Sequence, residues 1–195
     1  VIFIEALAYS FHLGSDKNRK NSVRKMADKN KSGTTSLSNN AIQNAQMLSR
    51  VDKHNYRKYD NDQEDIIIIK GSSSIVDDVK ELYKREFEKA RLEYNEKQFR
   101  DDRKIDNYFN HISNSSKSDL ACEVIIELGD KKYWDTKEDD YKRRMTNVYQ
   151  KQVEDLESVV PSFKIRSAII HYDETSPHLH IVGVPIKEGN KNGMS

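Results

Sequence analysis

Two short apolar runs, residues 163–170 and 178–186, are joined by seven residues that include Thr175-Ser176-Pro177. A connection so short, and closed by proline, leaves an antiparallel hairpin as the natural way to fold both runs. The hairpin carries three of the chain's six histidines. His178 and His180 open the second run two residues apart, and alternate residues of a strand project to the same face. His171 ends the first run, so closing the hairpin lays it beside that pair. Three neutral imidazoles converging on one point make a divalent-metal site with open positions, able to polarise a substrate oxygen. A His-x-His pair alone arises readily on an exposed polar strand face. The third histidine, with Asp173 and Glu174 in the connection, is what favours metal here. A cupin-type oxygenase would need a glutamate a few residues after the pair, but Ile181-Val-Gly-Val-Pro185 follows.

The rest of the chain supplies partners for that hairpin. Residues 1–11 are apolar enough for an edge strand, and 41–51 are weakly helical. Ile66-Ile-Ile-Ile69 is a short strand closed by Lys70-Gly71. Ser74 with Asp77 three residues later marks a helix start. Ile75, Val79, Leu82, Tyr83, Phe87, Ala90 and Tyr94 then keep helical spacing, as a core-facing stripe. Ile105, Tyr108 and Phe109 allow a further short helix, with His111 as a surface residue. Residues 121–128 alternate as a strand. Thr136 to Asp139 has the spacing of a second capping box, followed by Tyr141, Met145, Val148, Tyr149, Gln152, Val153 and Leu156 at helical spacing, with Pro161 closing the helix. The expected fold is α+β, a central largely antiparallel β-sheet flanked by helices, here with the helices on one face. The sequence shows no internal repeat.

Charge is placed unevenly. The whole chain is +1, yet residues 12–58 hold eleven Lys and Arg against three Asp. Such a block beside a metal points to a polyanion, and the two together to phosphodiester chemistry. Residues 14–40, rich in Ser, Asn, Lys and Gly, read as a basic flexible segment. The single cysteine, Cys122, excludes an internal disulfide and fits a buried strand position. No apolar run reaches the ~20 residues of a membrane-spanning helix, and a cytoplasmic setting is expected.

Hydrolysis would need only water, whereas strand transfer needs a protein nucleophile. Apart from the terminal Ser195, no residue suited to that role follows His180. Rolling-circle replication initiators carry a related His-x-His motif with a catalytic Tyr downstream. Here the nucleophile must lie upstream, as in conjugative relaxases. Upstream, His54-Asn-Tyr-Arg57 follows the basic segment. On its own it offers His54, Tyr56 or Tyr59 as nucleophile, or a histidine that merely contacts DNA. HYDETSPHLHIVGVP, residues 171–185, resembles the H-x-D-E-x-T/S-P-H-x-H signature of plasmid mobilisation relaxases, the Mob/Pre or plasmid recombination enzyme family (MobV type). HNYR, residues 54–57, resembles that family's H-x-x-R motif, in the right order.

The resemblance implies an HUH endonuclease fold and a metal-dependent relaxase that nicks one DNA strand at an origin of transfer. His171, His178 and His180 would hold Mn²⁺ or Mg²⁺. His54 would be the nucleophile, leaving a 5′-phosphoryl-histidine adduct and a free 3′-OH. Arg57 would position the phosphate, Glu174 would orient or deprotonate the nucleophile, and Asp173 would support a metal-bound histidine. The whole of 1–195 would be one relaxase domain, with 14–53 a basic DNA-contacting segment. Lys17, Arg19, Lys20, Arg24, Lys25 and Lys53 would touch phosphates of a single-stranded or hairpin origin DNA, and no small-molecule substrate is expected. Family members continue into a C-terminal region that mediates dimers, which is expected to be absent here. An Asn-Tyr-Asp/Glu-Leu motif frequent in the family has no clear counterpart: only Tyr59-Asp-Asn-Asp62 and Glu64-Asp-Ile66 come near it. Two other readings fit the residues: a non-catalytic DNA-binding module with a structural metal, and a water-using metallonuclease.

Overall fold

The computed structural model describes residues 9–12, 41–59, 65–174 and 176–187. Its centre is an antiparallel sheet. The strands are β1 (Tyr9–His12), β2 (Ala41–Ile42), β3 (Ile66–Lys70), β4 (Ala121–Leu128), β5 (Phe163–His171) and β6 (His178–Pro185). The order across the sheet is β1-β4-β6-β5-β3, and β2 also pairs with β4. The hairpin read from the sequence is therefore at the middle of the sheet, with His171 directly opposite His178 and Ile169 opposite His180.

Helices cover both faces rather than one. On one face lie α1 (Ala45–Asn55), α2 (Ile75–Glu96) and α3 (Tyr108–Ser113). Leu48, Ile75, Val79, Leu82, Phe87 and Phe109 pack there with Ile169, Val182 and Val184. On the other lie α4 (Lys131–Trp134), α5 (Asp139–Arg143) and α6 (Met145–Val159). Trp134, Tyr149 and Val153 pack there with Val124, Ile126, Ile170, Leu179 and Ile181. The two faces were hidden because β5 and β6 are apolar at almost every position, as a strand covered on both sides must be. Leu179 and Val182 are both fully buried, on opposite faces.

A bulge between Ile165 and Ser167 matters for the site. Strand alternation alone would put Ile165 and Ile169 on one face. Instead Ile165 joins the α6 core and Ile169 the α2 core. The extra residue reverses the facing of everything after it. It thereby keeps Ser167, Ile169 and His171 on the α1/α2 side, the side of His178 and His180.

The helix signals behaved unequally. Ser74 caps α2, its side chain accepting the Asp77 amide at 3.2 Å, and the apolar stripe carries the helix to Glu96. Thr136 caps nothing: its hydroxyl donates to the Tyr133 carbonyl, and the expected single helix is divided into α5 and α6 at Arg144. The segment read as weakly helical over 41–51 starts later and runs further, from the Asn44 cap to Asn55. Cys122 is half-buried rather than buried. No helix among the described residues is long and apolar enough to cross a membrane.

Candidate active site

α1 ends at the edge of the candidate site. Tyr56 donates its amide to Asp52 and closes the helix, and Arg57 then turns the chain with φ 51. That left-handed conformation is unfavourable for a side-chain-bearing residue. Its guanidinium is tied down on three sides. Nε and Nη2 donate to the two oxygens of Asp173 at 2.7 Å each, Nη2 also reaches Glu174 Oε1 at 2.6 Å, and Nη1 reaches the His54 carbonyl at 3.2 Å. Arg57 is 7% exposed, and the connection between β5 and β6 is thereby fastened beneath the end of α1.

The last turn of α1 puts His54 against the strand histidines. Its ring centre is 5.4 Å from that of His171 and 5.3 Å from that of His180, edge-on to both. The strand histidines are 4.3 to 5.3 Å from one another, centre to centre. Each is held in one tautomer by an outer partner. A carbonyl can only accept, so the 3.0 Å contact to Asn55 O makes His171 Nε2 the donor and leaves the Nδ1 lone pair inside. His178 Nδ1 donates to Ser176 O at 2.8 Å, leaving Nε2. His180 Nδ1 donates to Glu123 Oε1 at 2.8 Å, again leaving Nε2.

His171 Nδ1 and His180 Nε2 are buried and without a hydrogen-bond partner. Glu174 adds two acceptors, Oε1 3.5 Å from His171 Nδ1 and Oε2 3.5 Å from His178 Nε2. Acceptors facing acceptors in a buried place are costly unless a cation lies between them. Imidazole and carboxylate donors suit a divalent ion, so the residues fit a metal. Donor atoms within 4.8 Å of one another form two overlapping groups, His54-His171-His180 and His171-Glu174-His178. His171 is common to both.

Electrostatics keep two of the imidazoles, His180 and His54, available as lone-pair donors. Burial pushes His180 down to about 4, despite the opposing pull of Glu123. His54 is lowered as well, first by burial, then by His171 and Arg57. Burial opposes the charge of Glu123, but the bond and charge of His180, the bond from Asn55 and the charge of His54 together outweigh it and hold its carboxyl below the ordinary value.

Comparison with known proteins gives the chain a family. The family model of the plasmid recombination enzymes (Mob_Pre) matches residues 42–194. The chain belongs to that family. Among solved structures, the chain resembles a Mn-bound crystal structure, at pH 5.5, of the MobM relaxase domain (MOBV; Mob_Pre) on a 22-nucleotide oriT DNA of plasmid pMV158. That likeness has 20% identity and a TM-score of 0.47, over 79% of this chain and 70% of that one. A second MobM relaxase domain, on 26 nucleotides of the same DNA, shows 14% identity and a TM-score of 0.46, over 98% and 74%. No curated protein sequence matches the chain.

The structure gathers His54, Arg57, His171, Asp173, Glu174, His178 and His180 into one place. It gives two of them partners other than those expected. Asp173 grips Arg57 and not a histidine, and the Arg57 fork expected for phosphate is filled by Asp173 and Glu174. Tyr56 is turned away, its hydroxyl donating to the Ser72 carbonyl, while Tyr59 is 50% exposed. Lys53 is exposed on α1. Lys17, Arg19, Lys20, Arg24 and Lys25 lie outside the described residues, as does most of the 14–53 segment. Two residues escaped sequence reasoning: Glu123, which supports His180, and Asn55, whose carbonyl holds His171 and whose Nδ2 donates to Glu123 at 3.1 Å. The available signal for Glu123 was a pair of carboxylates, Glu123 and Glu127, set among the apolar residues of β4.

Proposed function

We propose that the chain is a relaxase domain that nicks one strand of an origin-of-transfer DNA and holds its 5′ end through a phosphoryl-histidine bond on His54. The observation that carries this reading is the set of outward anchors on His171, His178 and His180, which turns three lone pairs inward beside the half-exposed ring of His54. A divalent ion, Mn²⁺ or Mg²⁺, held by these three histidines would neutralise the scissile phosphate and polarise its oxygen. His54, neutral near pH 7, attacks phosphorus with its unprotonated nitrogen. The new bond is N–P, the bond broken is P–O3′, and the departing 3′ oxygen takes up a proton. Glu174 Oε1 lies 3.9 Å from His54 Nε2 and is the group placed to take the ring proton. Arg57 fixes Glu174 and the end of α1 relative to one another. The basic 14–53 segment supplies sequence-independent phosphate contacts, and 1–195 acts as one nicking domain.

One observation favours a second reading. His54 shares a ligand-capable group with His171 and His180, so it could serve as a further metal ligand in a non-nicking DNA-binding module. An adduct test separates them. The protein is incubated with Mn²⁺ and a single strand bearing its nick site, and adducted peptides are mapped by mass. An acid-labile adduct on the His54 peptide, with His54→Ala losing the adduct but keeping its Mn²⁺ affinity, is the expected outcome. An acid-stable adduct on Tyr56 or Tyr59 would overturn the nucleophile. Binding without any adduct, and a large loss of Mn²⁺ affinity in His54→Ala, would establish the second reading.

A further inference from the structure

At the other end of β5 from His171, a concave notch of about 310 Å³ opens beside edge strand β3, between α2 and α6. It is lined by Lys70, Arg85, Lys164 and Arg166, with Glu157 the one carboxylate among its walls. Two of the cations have acidic partners: Lys70 meets Glu157, and Arg85 donates to Glu86 at 2.8 and 2.9 Å. Lys164 and Arg166 have no acidic partner among the described residues. Arg166 Nε is in addition buried without an acceptor. A buried guanidinium N–H left unpaired is costly, and a ligand oxygen would relieve it.

The bulge that turns His171 toward His178 also builds this notch. Arg166 is the residue it leaves unmatched, between Ile165 opposite Gly183 and Ser167 opposite Val182. Lys164 lies directly opposite Val184, hence on the α2 face, the face of the metal-site histidines. Arg166 and Lys164 are five and seven residues from His171 along one strand. At ~3.3 Å per residue that is roughly 17–23 Å. A fully stacked strand, as in a duplex, spaces its phosphates ~3.4 Å apart along the axis, so the gap spans at most about five to seven nucleotides, and fewer of an extended single strand.

We propose that the Lys164/Arg166 notch is a second phosphate site, which takes a backbone phosphate of the DNA several nucleotides from the nick. This rests on the relaxase reading and adds a place to it. A polymeric phosphate is favoured over a free one because only a strand anchored at His54 would be delivered there at high local concentration. The contact is to backbone, so it sets register and not sequence preference.

The test uses a long fluorescent oligothymidine, whose affinity is measured across a salt series for the full chain, Lys164→Ala/Arg166→Ala and the control Lys89→Ala. Lys89 is 91% exposed on α2, outside the notch. Each lost single-strand phosphate contact should flatten the log–log salt slope by about 0.7. The expected result is a flattened slope for the notch variant and an unchanged one for Lys89→Ala. Amine labelling should show Lys70 and Lys164 protected by the oligothymidine and not by millimolar inorganic phosphate. Equal slopes for the notch variant and the parent would overturn the proposal, as would equal flattening in both variants. Equal protection by inorganic phosphate would make this a small-anion site and overturn its assignment to DNA. If adduct formation on nick-site DNA persists in the parent while the notch variant keeps its slope, the notch alone is refuted. If the parent neither binds oligothymidine nor forms an adduct, the relaxase reading and the notch fall together.

Discussion

Glu123 is the residue whose removal should separate metal binding from folding. Its Oε1 accepts both the His180 Nδ1 proton at 2.8 Å and the Asn55 Nδ2 proton at 3.1 Å. It therefore fixes the tautomer of one proposed ligand and the position of the residue that anchors another. Removing an outer partner of a metal-bound histidine typically costs 10- to 100-fold in metal affinity, about 1.4–2.8 kcal/mol. Glu123→Gln keeps an acceptor in place and loses only the charge assistance, so a weakening of about tenfold is expected. Glu123→Ala leaves His180 Nδ1 and Asn55 Nδ2 unpaired in a buried place and should reach the upper end, about 100-fold. Mn²⁺ affinity by titration calorimetry near pH 7.5, with bound and free Mn²⁺ distinguished by electron paramagnetic resonance, gives the number. Thermal melting of the metal-free variants shows whether they fold. A folded Glu123→Ala variant that binds Mn²⁺ as tightly as the parent would refute the tautomer argument.

Three further outcomes follow from the same geometry. The metal-free domain should lose stability as the pH falls from about 6.5, the ordinary histidine value, toward the value of about 4 to which burial pushes His180, because the unfolded chain alone holds that proton in this window. The loss approaches about 3 kcal/mol, and urea unfolding of parent and His180→Asn at both ends of the window isolates it. His54, lowered by burial and by His171, should stay a neutral nucleophile below pH 6.5; the acidic limb of the adduct-formation rate, measured at saturating Mn²⁺, is expected below that of free imidazole, and an inflection above 6.5 would contradict it. Arg57→Lys cannot reproduce the fork on Asp173, and should slow adduct formation at least about tenfold while Mn²⁺ affinity stays within a few-fold.

The central hairpin was legible because its signals are local. Apolar runs, a proline-bearing connection and histidines at strand spacing all lie within two dozen residues. The Ser74 cap and the stripe from Ile75 to Tyr94 were legible for the same reason. The Thr136 cap failed because a hydroxyl that can cap a helix can equally donate to a nearby carbonyl, as it does to Tyr133. The second covered face failed because near-continuous apolar strands carry no alternation to read. Glu123 was out of reach in another way: it lies 57 residues from His180, and only the β4–β6 register brings them together. Arg57 and Asp173 meet across 116 residues. Sequence motifs named both, but the pairing of one with the other is a property of the folded chain.

The position of β6 bears on when the site comes into being. It is the last described strand in the chain, yet it sits between β4 and β5 and contributes to both cores. Until it inserts, β4 has no neighbour on that side, and His171 faces neither His178 nor His180. Pairings between distant segments form late in folding, since loop closure must precede the contacts that reward it. On the proposed reading, a chain that has not yet released residues 178–185 during synthesis holds His54 without the histidine centre that would make it reactive toward DNA. On that reading, cleavage competence would be tied to the insertion of β6.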